Sequence, residues 1–320
     1  MIHWDNGLFL TRPRLALDVR RRQPAAFVSH AHADHIAPHE LAYMTPPTRR
    51  LYQHRVGDHR RVVELPYGAP REFGDARLTT YPAGHCLGSA MLLAETDAGR
   101  VLYTGDYKLG DSATAEPAEL PRADVLVMEC TFGQPKYALP PREQTIAELV
   151  ALVRSTLAEG ATPVIHAYPL GKSQEVTRLL TAAGVPVLQH PHIFAISEIY
   201  QQCGVDLGDV QPYHRDRLPG AAVITLPKGS RFFRLPGMGR PVSIAATGWA
   251  IDPSTKFRWQ VDHALPLSDH ADYSELLQTA ERVQPREIIC THGPADFAGR
   301  LCAAGFHARH VSEAFQTRMF

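Results

Sequence analysis

Short apolar runs separated by turn residues occupy the first third of the chain. Their alternation with polar positions predicts β-strands, because successive side chains of a strand point to opposite faces. The predicted strands are Leu15–Val19, Ala26–Ser29, Arg77–Tyr81, Ala90–Ala94, Arg100–Tyr103 and Asp124–Met128. We therefore expect this part of the chain to be mostly β-sheet.

After Pro141 the apolar spacing changes to a helical period that alternates with short strands. The pattern predicts helices over 142–159, 172–183 and 193–203, and strands over 162–167, 185–189, 221–226 and 242–246. The tail predicts helix 271–283, strand 286–291, helix 294–304 and strand 308–311. Alternating helices and strands indicate a parallel α/β unit. A β-rich region, an α/β block and an α/β tail together suggest one domain inserted into another.

The composition is that of a globular chain and excludes a disordered one. The 320 residues are 44% hydrophobic, and 33 basic residues balance 33 acidic ones. No apolar stretch approaches the roughly 18 residues of a membrane helix, and the first ten residues carry no signal pattern. The five cysteines are scattered, as expected of reduced thiols. We expect a cytoplasmic protein without a membrane partner.

Candidate chemistry is concentrated in the string Ser-His-Ala-His-Ala-Asp-His at 29–35. It directly follows a predicted strand and precedes a predicted short helix. On extended backbone His30 and His32 point to the same side, so they can bind one metal ion. Asp34 and His35 follow where the chain turns and can face a second ion. Imidazole and carboxylate donors at this spacing suit zinc or a similar divalent cation.

Three other polar residues follow predicted strands elsewhere in the first third. His85 lies in a glycine-bounded loop, Asp106 follows the strand ending at Tyr103, and Asp18 closes the apolar run from Leu15. Alone, each is more often an ordinary loop or turn residue. Their shared position at strand ends favours a joint site, in which the Asp18 carboxylate orients the ligand loop.

This set of residues resembles that of the metallo-β-lactamase superfamily: Asp18, His30, His32, Asp34, His35, His85 and Asp106. The resemblance implies an α/β fold of four layers, an αββα sandwich with the metals at one edge of its two sheets. Because members hydrolyse lactams, thioesters and phosphodiesters, the fold alone leaves the substrate open.

Motifs further along resemble the nucleic-acid-processing β-CASP family within that superfamily. They are Val125–Gly133 with Glu129, the turn Ala167–Glu175, Leu267–Tyr273 with His270, and Ile288–Gly293 with His292. The length, the early Gly-Leu-Phe and the Leu-Ser-Asp-His-Ala-Asp string are most similar to bacterial DNA ligase-associated exonucleases, relatives of SNM1-type nucleases. The resemblance implies a metallo-β-lactamase domain over 1–135 and 256–320, and an inserted β-CASP domain over 136–255.

The resemblance also implies roles for individual residues. Two divalent ions, zinc with manganese as the alternative, would be bound by seven residues. The first ion takes His30, His32 and His85, the second takes Asp34, His35 and His292, and Asp106 bridges them. Two metal ions can stabilise both the attacking and the leaving oxygen of a phosphodiester. The implied catalytic residues are His270, Glu129, Asp34 and Asp18, with His270 the general acid for the leaving 3′-oxygen and Glu129 its orienting partner.

The expected function is an exonuclease that degrades single-stranded DNA in the 5′→3′ direction during DNA repair. The resemblance suggests a functional link to an ATP-dependent DNA ligase and a helicase. His292 favours an alternative, an RNA-processing β-CASP ribonuclease, because SNM1-type DNA enzymes usually carry an apolar residue there. A small-molecule metallo-hydrolase leaves Glu129, His270 and the insert without a use. A non-catalytic binding module does not need the metal ligands.

Net charge is zero overall, but positive charge is concentrated in two stretches. Residues 1–61 hold ten arginines against five acidic residues, and residues 228–261 hold six basic residues against one. The second stretch interleaves aromatic residues, the pattern of a single-strand groove: Phe232, Phe233, Trp249, Phe257 and Trp259. We expect substrate contacts at Arg258 and Trp259. Lys172 and Ser173 open a predicted helix after Gly171, where a phosphate can bind backbone amides; an ordinary helix start is equally compatible.

Overall fold

We describe the protein from a computed structural model, in which residues 1–227, 237 and 240–314 are described. The chain forms two compact units. Unit 1 comprises Met1–Pro135 and the chain from His270 onward, and unit 2 comprises Lys136–Asp269. The second unit therefore ends at Asp269, whereas the sequence predicts a return to the first domain at residue 256. The functional domain boundaries stay a prediction.

The helices and strands are numbered in chain order. The helices are α1 (Pro46–Val56), α2 (Arg142–Ala158), α3 (Lys172–Ala182), α4 (Pro191–Gln202), α5 (Ser254–Arg258), α6 (Tyr273–Val283), α7 (Asp296–Ala303) and α8 (Val311–Ala314). The strands are β1 (Ile2–Trp4), β2 (Leu8–Leu10), β3 (Leu15–Leu17), β4 (Ala26–Phe27), β5 (Leu41–Met44), β6 (Arg61–Glu64), β7 (Arg71–Phe73), β8 (Ala76–Pro82), β9 (Ala90–Thr96), β10 (Gly99–Tyr103), β11 (Val125–Glu129), β12 (Thr162–His166), β13 (Val187–Gln189), β14 (Val210–Pro212), β15 (Ala222–Thr225), β16 (Pro241–Ala246), β17 (His263–Leu265), β18 (Glu287–Thr291) and β19 (Ala308–His310).

Unit 1 contains two sheets that pack face to face. The first has the order β1-β2-β3-β4-β5-β6 and the second has the order β19-β18-β11-β10-β9-β8-β7. Leu17 and Phe27 of the first sheet share one buried cluster with Leu92 and Val127 of the second. Burial of apolar side chains between the sheets is the main stabilising contribution to this packing.

Helices cover the outer faces of both sheets, because apolar residues occur at both phases of the period-two alternation. In β9, Leu92 belongs to the cluster between the sheets, whereas its neighbour Leu93 packs with Leu276 of α6 and Phe297 of α7. On the first sheet, Met44 packs with Tyr52 of α1. The layers are therefore α1, two sheets, and α6 with α7, which confirms the predicted αββα sandwich.

Strand direction places the polar residues of unit 1 at one edge. In the second sheet β8 and β10 both run antiparallel to β9, and β10, β11 and β18 are mutually parallel. Their carboxyl ends consequently meet at the same edge. The loops that leave this edge carry His85 after β8, Asp106 after β10 and His292 after β18, and Glu129 is the last residue of β11.

Unit 2 is built around a six-stranded parallel sheet with the order β14-β13-β15-β12-β16-β17. The central strands β12, β13 and β15 are mostly buried, and the first three strands along the chain alternate with α2, α3 and α4. Parallel strands need crossover connections, which helices provide. This arrangement confirms the parallel α/β block predicted from the sequence.

The structure differs from the prediction around the histidine-rich string: the strand before it is shorter, and the short helix after it is absent from these described residues. Strand β4 ends at Phe27 instead of Ser29, and residues 33–35 form a turn where the sequence predicted a short helix. The backbone beyond Phe27 is held by hydrogen bonds to other strands, including the Ala90 amide donating to the Ser29 carbonyl at 2.9 Å. In the turn itself the His35 amide donates to the His32 carbonyl at 3.1 Å, a single local bond that closes a turn.

Among the described residues, we find no helix that combines the length and the apolar character needed to cross a bilayer.

Candidate metal centre and active site

The Asp18 carboxylate organises the histidine-rich loop from beneath. Its oxygens accept hydrogen bonds from the Ser29 amide at 2.7 Å, the Ser29 hydroxyl at 2.5 Å, the Tyr103 hydroxyl at 2.9 Å and His35 Nδ1 at 2.9 Å. Asp18 adopts a left-handed φ of 49°, which is unusual outside glycine. Because the bond to Nδ1 fixes the His35 ring, Nε2 is the nitrogen left to face the site. The geometry supports a positioning role for Asp18.

Four predicted ligands of the first metal converge. His30 Nε2 lies 3.0 Å from His32 Nδ1, which in turn lies 3.1 Å from His85 Nε2. Asp106 Oδ2 lies 3.6 Å from His30 Nε2 and 4.0 Å from His85 Nε2. One ligand atom from each of the four residues lies within 4.8 Å of all the others. The structure therefore brings these four side chains together, and their role as metal ligands stays a prediction.

The predicted ligands of the second metal lie beside this cluster but less tightly grouped. His35 Nε2 lies 3.2 Å from Asp106 Oδ2 and 3.8 Å from Asp34 Oδ2. The His292 ring centroid lies 5.3 Å from that of His35. Asp34 is exposed, with 67% of its side-chain surface accessible, whereas His35 is buried. Asp106 is placed between the two groups, as a bridging ligand requires.

Buried charge at this edge favours a cation. Burial lowers the pKa of His30 well below its usual value, and the neighbouring His35 lowers it further. Burial also lowers the pKa of His35, but the carboxylates of Asp106 and Asp18 outweigh burial and raise that pKa well above the usual value. For Asp106, burial raises the pKa, yet His35 and His270 lower it well below normal. The carboxylates thus stabilise positive charge in their surroundings.

A close approach of backbones brings Asp106 to this position. Gly105 has a φ of 56°, and a Cβ atom built on it lies 2.6 Å from the Ser29 side chain. A residue with a side chain would therefore push the Asp106 loop away from the ligand loop.

His270 and Glu129 form a second polar pair next to the histidine cluster. His270 Nδ1 lies 2.9 Å from Glu129 Oε1, and the His270 ring centroid lies 4.6 Å from that of His85. Glu129 is buried, and it also accepts hydrogen bonds from the Tyr107 amide at 3.1 Å and from Thr131. The carboxylate fixes the ring through Nδ1, so that Nε2 lies on the side of the ring that faces away from Glu129.

Sequence reasoning assigned no role to several residues that hold this site together. Ser29 and Tyr103 both bond to Asp18, and Thr131 and Tyr107 both bond to Glu129. Tyr107 further accepts the Ala271 amide through its carbonyl at 2.6 Å and donates to Thr279 at 2.8 Å. Adjacency to His30 was a usable signal for Ser29. For the others, only the fold brings the partners together.

In unit 2, Lys172 and Ser173 do not match the predicted phosphate site. Both are buried at the start of α3. Lys172 Nζ binds Glu175 Oε2 at 2.9 Å and lies 3.8 Å from Asp269 Oδ1, and Ser173 donates to the Tyr168 carbonyl at 2.7 Å. Both side chains thus bond to partners within unit 2, as a buried charge such as that of Lys172 requires. This pairing favours the ordinary helix start that the sequence left equally open, and a substrate role for Lys172 and Ser173 stays a prediction.

The predicted substrate contacts Arg258 and Trp259 lie at the end of α5 in unit 2. Phe257 is 76% exposed, and the Trp259 ring makes an edge contact with Tyr168 at 6.2 Å. Arg258 is exposed and lies 3.8 Å from Asp252. The substrate role of this surface stays a prediction. Part of the basic stretch lies outside the described residues: Lys228, Arg231, Phe232, Phe233 and Arg234.

The residues of the first cluster fit a divalent metal ion by their chemistry. Two imidazole nitrogens, from His30 and His85, both lie about 3 Å from the same His32 nitrogen. One ring nitrogen has a single lone pair or a single hydrogen, so it cannot satisfy both neighbours well. Three imidazoles and a carboxylate are the donors that zinc and similar ions take. These clusters therefore suit a divalent metal.

Comparisons with known proteins agree with this chemistry. Residues 256–312 match the family described as "Zn-dependent metallo-hydrolase RNA specificity domain". The chain is 37% identical over 324 residues to a "Probable DNA ligase" of Opitutus terrae, covering 99% of this chain and 32% of the relative. It is 28% identical over 324 residues to the "5' exonuclease Apollo" of Gallus gallus, covering 94% of this chain and 65% of the relative.

A third relative is the "Endoribonuclease YSH1" of Yarrowia lipolytica, 28% identical over 213 residues, covering 55% of this chain and 26% of the relative. The chain thus spans about a third of the first relative, two thirds of the second and a quarter of the third. The matched family region includes His270 and His292, and the relatives include proteins named for DNA and for RNA. With its αββα sandwich, its α/β unit and its histidine-rich edge, the chain belongs to the β-CASP group of the metallo-β-lactamase superfamily.

Proposed function

We propose that the chain is a metal-dependent phosphodiester hydrolase, an exonuclease that degrades single-stranded DNA in the 5′→3′ direction. One observation carries the hydrolase proposal. The cluster of His30, His32, His85 and Asp106 lies directly beside the His270–Glu129 pair. A cation site and a positioned proton donor at the same sheet edge are the two components that phosphodiester hydrolysis needs.

Two divalent ions, zinc or manganese, fit the proposal. His30, His32 and His85 would hold the first and Asp34, His35 and His292 the second, with Asp106 between them. When bound, such ions lower the pKa of water and neutralise charge on phosphoryl oxygens. Asp18 holds the His35 ring so that Nε2 faces Asp106. Asp34, the exposed member, is reachable from solvent.

His270 supplies the proton that the leaving group needs. Glu129 binds Nδ1, so a proton on Nε2 can pass to the leaving 3′-oxygen as the P–O bond breaks. The hydrogen bonds from Tyr107 and Thr131 hold the Glu129 carboxylate in place. In the protonated state of the ring, the buried carboxylate stabilises its charge.

The DNA assignment rests on similarity. The relative that matches nearly the full chain is named a probable DNA ligase, and the relative matching 94% of it is named a 5′ exonuclease. These names support a role in DNA repair and a functional link to a DNA ligase. That the ligase is ATP-dependent, and that a helicase takes part, rests on the family resemblance alone. The exposed Phe257 and the basic Arg258 offer stacking and phosphate contacts of the kind that bind single strands.

An RNA substrate is the second candidate, and His292 favours it. The match to a family named for RNA specificity includes this residue, and one relative is named an endoribonuclease. In this alternative the metal ligands and the His270–Glu129 pair keep their roles. Only the nucleic acid changes.

The first experiment incubates the full chain with zinc or manganese and matched single strands of DNA and RNA. Each strand carries a 5′-phosphate and an internal label, and chelator is added in parallel. Asp34→Ala is the test variant because Asp34 is exposed and its truncation should leave the fold intact, and Asp97→Ala is the matched control. Asp97 is an exposed residue in the turn that follows β9. It lies at the opposite end of that strand from the loop that carries the predicted metal ligand His85.

We expect metal-dependent shortening of DNA that chelator and Asp34→Ala abolish and Asp97→Ala leaves intact. Selective cleavage of RNA with the same variant pattern supports the second candidate. Undiminished cleavage in Asp34→Ala contradicts both candidates.

A further inference from the structure

Unit 1 contains a cavity of about 210 Å³ next to the proposed second-metal residues. Asp18, Asp34 and His292 contribute to its lining, together with apolar side chains of Trp4, Leu8 and Val19. Arg20, an exposed residue, also lines it. The cavity therefore combines metal-ligand chemistry with an apolar, aromatic surface. The catalytic roles proposed above do not use this apolar surface.

Trp4 is the unusual member of this lining. It is the last residue of β1, the edge strand of the first sheet, and it pairs directly with Leu8 of β2. Directly paired residues lie on the same face of a sheet, and Leu8 belongs to the core between the sheets. Trp4 thus continues the inner face, yet 47% of it is exposed. An exposed indole beside a catalytic edge is a ready stacking surface.

The backbone around the cavity is held in unusual conformations. Asn6, Asp18 and His292 have left-handed φ angles of 47°, 49° and 48°, and all three line the cavity. Within the described part of the chain, they are three of five non-glycine residues with a positive φ. A Cβ atom on Gly7, another lining residue, lies 2.7 Å from the Val19 side chain. Such strain persists only where surrounding structure fixes it, and it is typical of functional sites.

We propose that this cavity binds one unpaired nucleobase of the substrate, stacked on Trp4, while the adjoining phosphate lies at Asp34 and His292. The inference rests on the proposed function, since it places a nucleotide at the phosphodiester site. The volume is below the range of about 300–1,000 Å³ typical of sites for larger ligands, which suits a single nucleotide and not a duplex. Every base has an aromatic face, so stacking tolerates any sequence. Arg20 supplies a positive charge for a neighbouring phosphate.

The kinetic test compares Trp4→Ala, Trp4→Phe and the unchanged chain on single strands that differ by one missing base. One strand is complete, and the others carry a single abasic nucleotide on either side of the scissile phosphate. For the complete strand we expect Trp4→Ala to lower kcat/KM about tenfold and Trp4→Phe to retain most of it. One of the two abasic strands lacks the base that stacks on Trp4. On that strand the unchanged chain and Trp4→Ala should have the same kcat/KM.

A binding test is independent of turnover. Quenching of tryptophan fluorescence by dAMP is measured with zinc present, with deoxyribose 5-phosphate as the base-free control. We expect dAMP to quench the unchanged chain, and we expect Trp4→Phe to lose that component of the quenching. Deoxyribose 5-phosphate should leave the fluorescence unchanged.

The outcomes separate the two proposals. Suppose that the unchanged chain cleaves DNA and that Trp4→Ala has the same kcat/KM as the unchanged chain on every strand, or a kcat/KM lowered by the same factor on all of them. Either result contradicts the nucleobase site and leaves the nuclease proposal standing. If dAMP quenches Trp4 while no strand of DNA or RNA is cleaved, the nucleotide site stands and the nuclease proposal fails. Absence of Trp4-dependent quenching also contradicts the nucleobase site.

Discussion

The two polar clusters that the sequence marked for chemistry differ in how their charges are satisfied. At the start of α3 in unit 2, Lys172 binds Glu175, which also accepts Arg142 Nη2 at 2.7 Å. At the edge of unit 1, His30 and His85 each bring a ring nitrogen to within about 3 Å of the same nitrogen of His32. A cluster that neutralises itself serves the fold, whereas donors that converge on each other call for a ligand. Both clusters lie in predicted motifs, so the motif does not distinguish a structural cluster from a ligand site. The way in which the side chains pair with each other does.

The largest expected effect sharpens this comparison at His270, whose Nδ1 is paired with Glu129 while Nε2 is assigned to the substrate. We expect His270→Ala to lower kcat on single-stranded DNA by about 10²–10⁴-fold, the usual contribution of a general acid. A thymidine 5′-phosphate ester with p-nitrophenol needs no protonation of its leaving group. Hydrolysis of that ester should therefore be nearly unaffected by the variant.

Glu129→Gln is the companion variant, because the amide cannot stabilise a protonated ring as a carboxylate does. We expect a smaller loss of kcat on DNA, about 10–100-fold, and again little change on the p-nitrophenyl ester. An equal loss on both substrates contradicts proton donation by His270 and points to a structural role for the pair.

The next effect tests the ion-paired cluster around Lys172 at the start of α3. Lys172→Met leaves Glu175 and Asp269 without the buried ammonium group. We expect the free energy of unfolding to fall by about 3 kcal/mol, the scale for removing one partner of a buried ion pair. The control Arg286→Met removes a cation whose side chain is 88% exposed, and it should cost less than about 1 kcal/mol. Urea denaturation measures both.

The variant Lys172→Met also tests whether the cluster at α3 binds a substrate phosphate. KM for a 5′-phosphorylated strand, relative to a strand with a 5′-hydroxyl, should not change in Lys172→Met. A selective rise of KM for the phosphorylated strand, with little loss of stability, would restore the original prediction of a phosphate site at α3.

Periodicity and residue spacing predicted much of this molecule because they report local geometry. The sandwich strands from Arg77 onward, the α/β block and the converging His30, His32 and His85 follow from such patterns. Long-range contacts decided the remainder. The bonds of Ser29 and Tyr103 to Asp18 join residues that are 11 and 85 positions apart in the chain. Spacing alone left the role of Lys172 open: its partner Glu175 lies three residues away, but Asp269 is remote in sequence.

The smallest effect concerns a histidine of unit 1 outside the proposed ligand set. His39 is buried, and its Nδ1 accepts the Gln23 amide at 3.2 Å. Burial lowers the pKa of His39 from 6.5 to about 4, so the folded state keeps the ring neutral where the unfolded state takes up a proton. Stability from this residue is therefore complete above pH 6.5 and declines as the pH falls towards 4, by up to about 3 kcal/mol.

His39→Asn sharpens the contrast between this histidine and the ligand cluster, because it keeps an acceptor near the Gln23 amide and does not titrate. Urea denaturation of metal-loaded protein between pH 4 and pH 7 should show a flatter dependence of unfolding free energy on pH in the variant. Activity at pH 7 should be unchanged, since His39 touches neither the cluster nor the His270–Glu129 pair in any contact described above. Identical slopes in both proteins would mean that the acid sensitivity of unit 1 arises at the metal-ligand histidines and carboxylates instead.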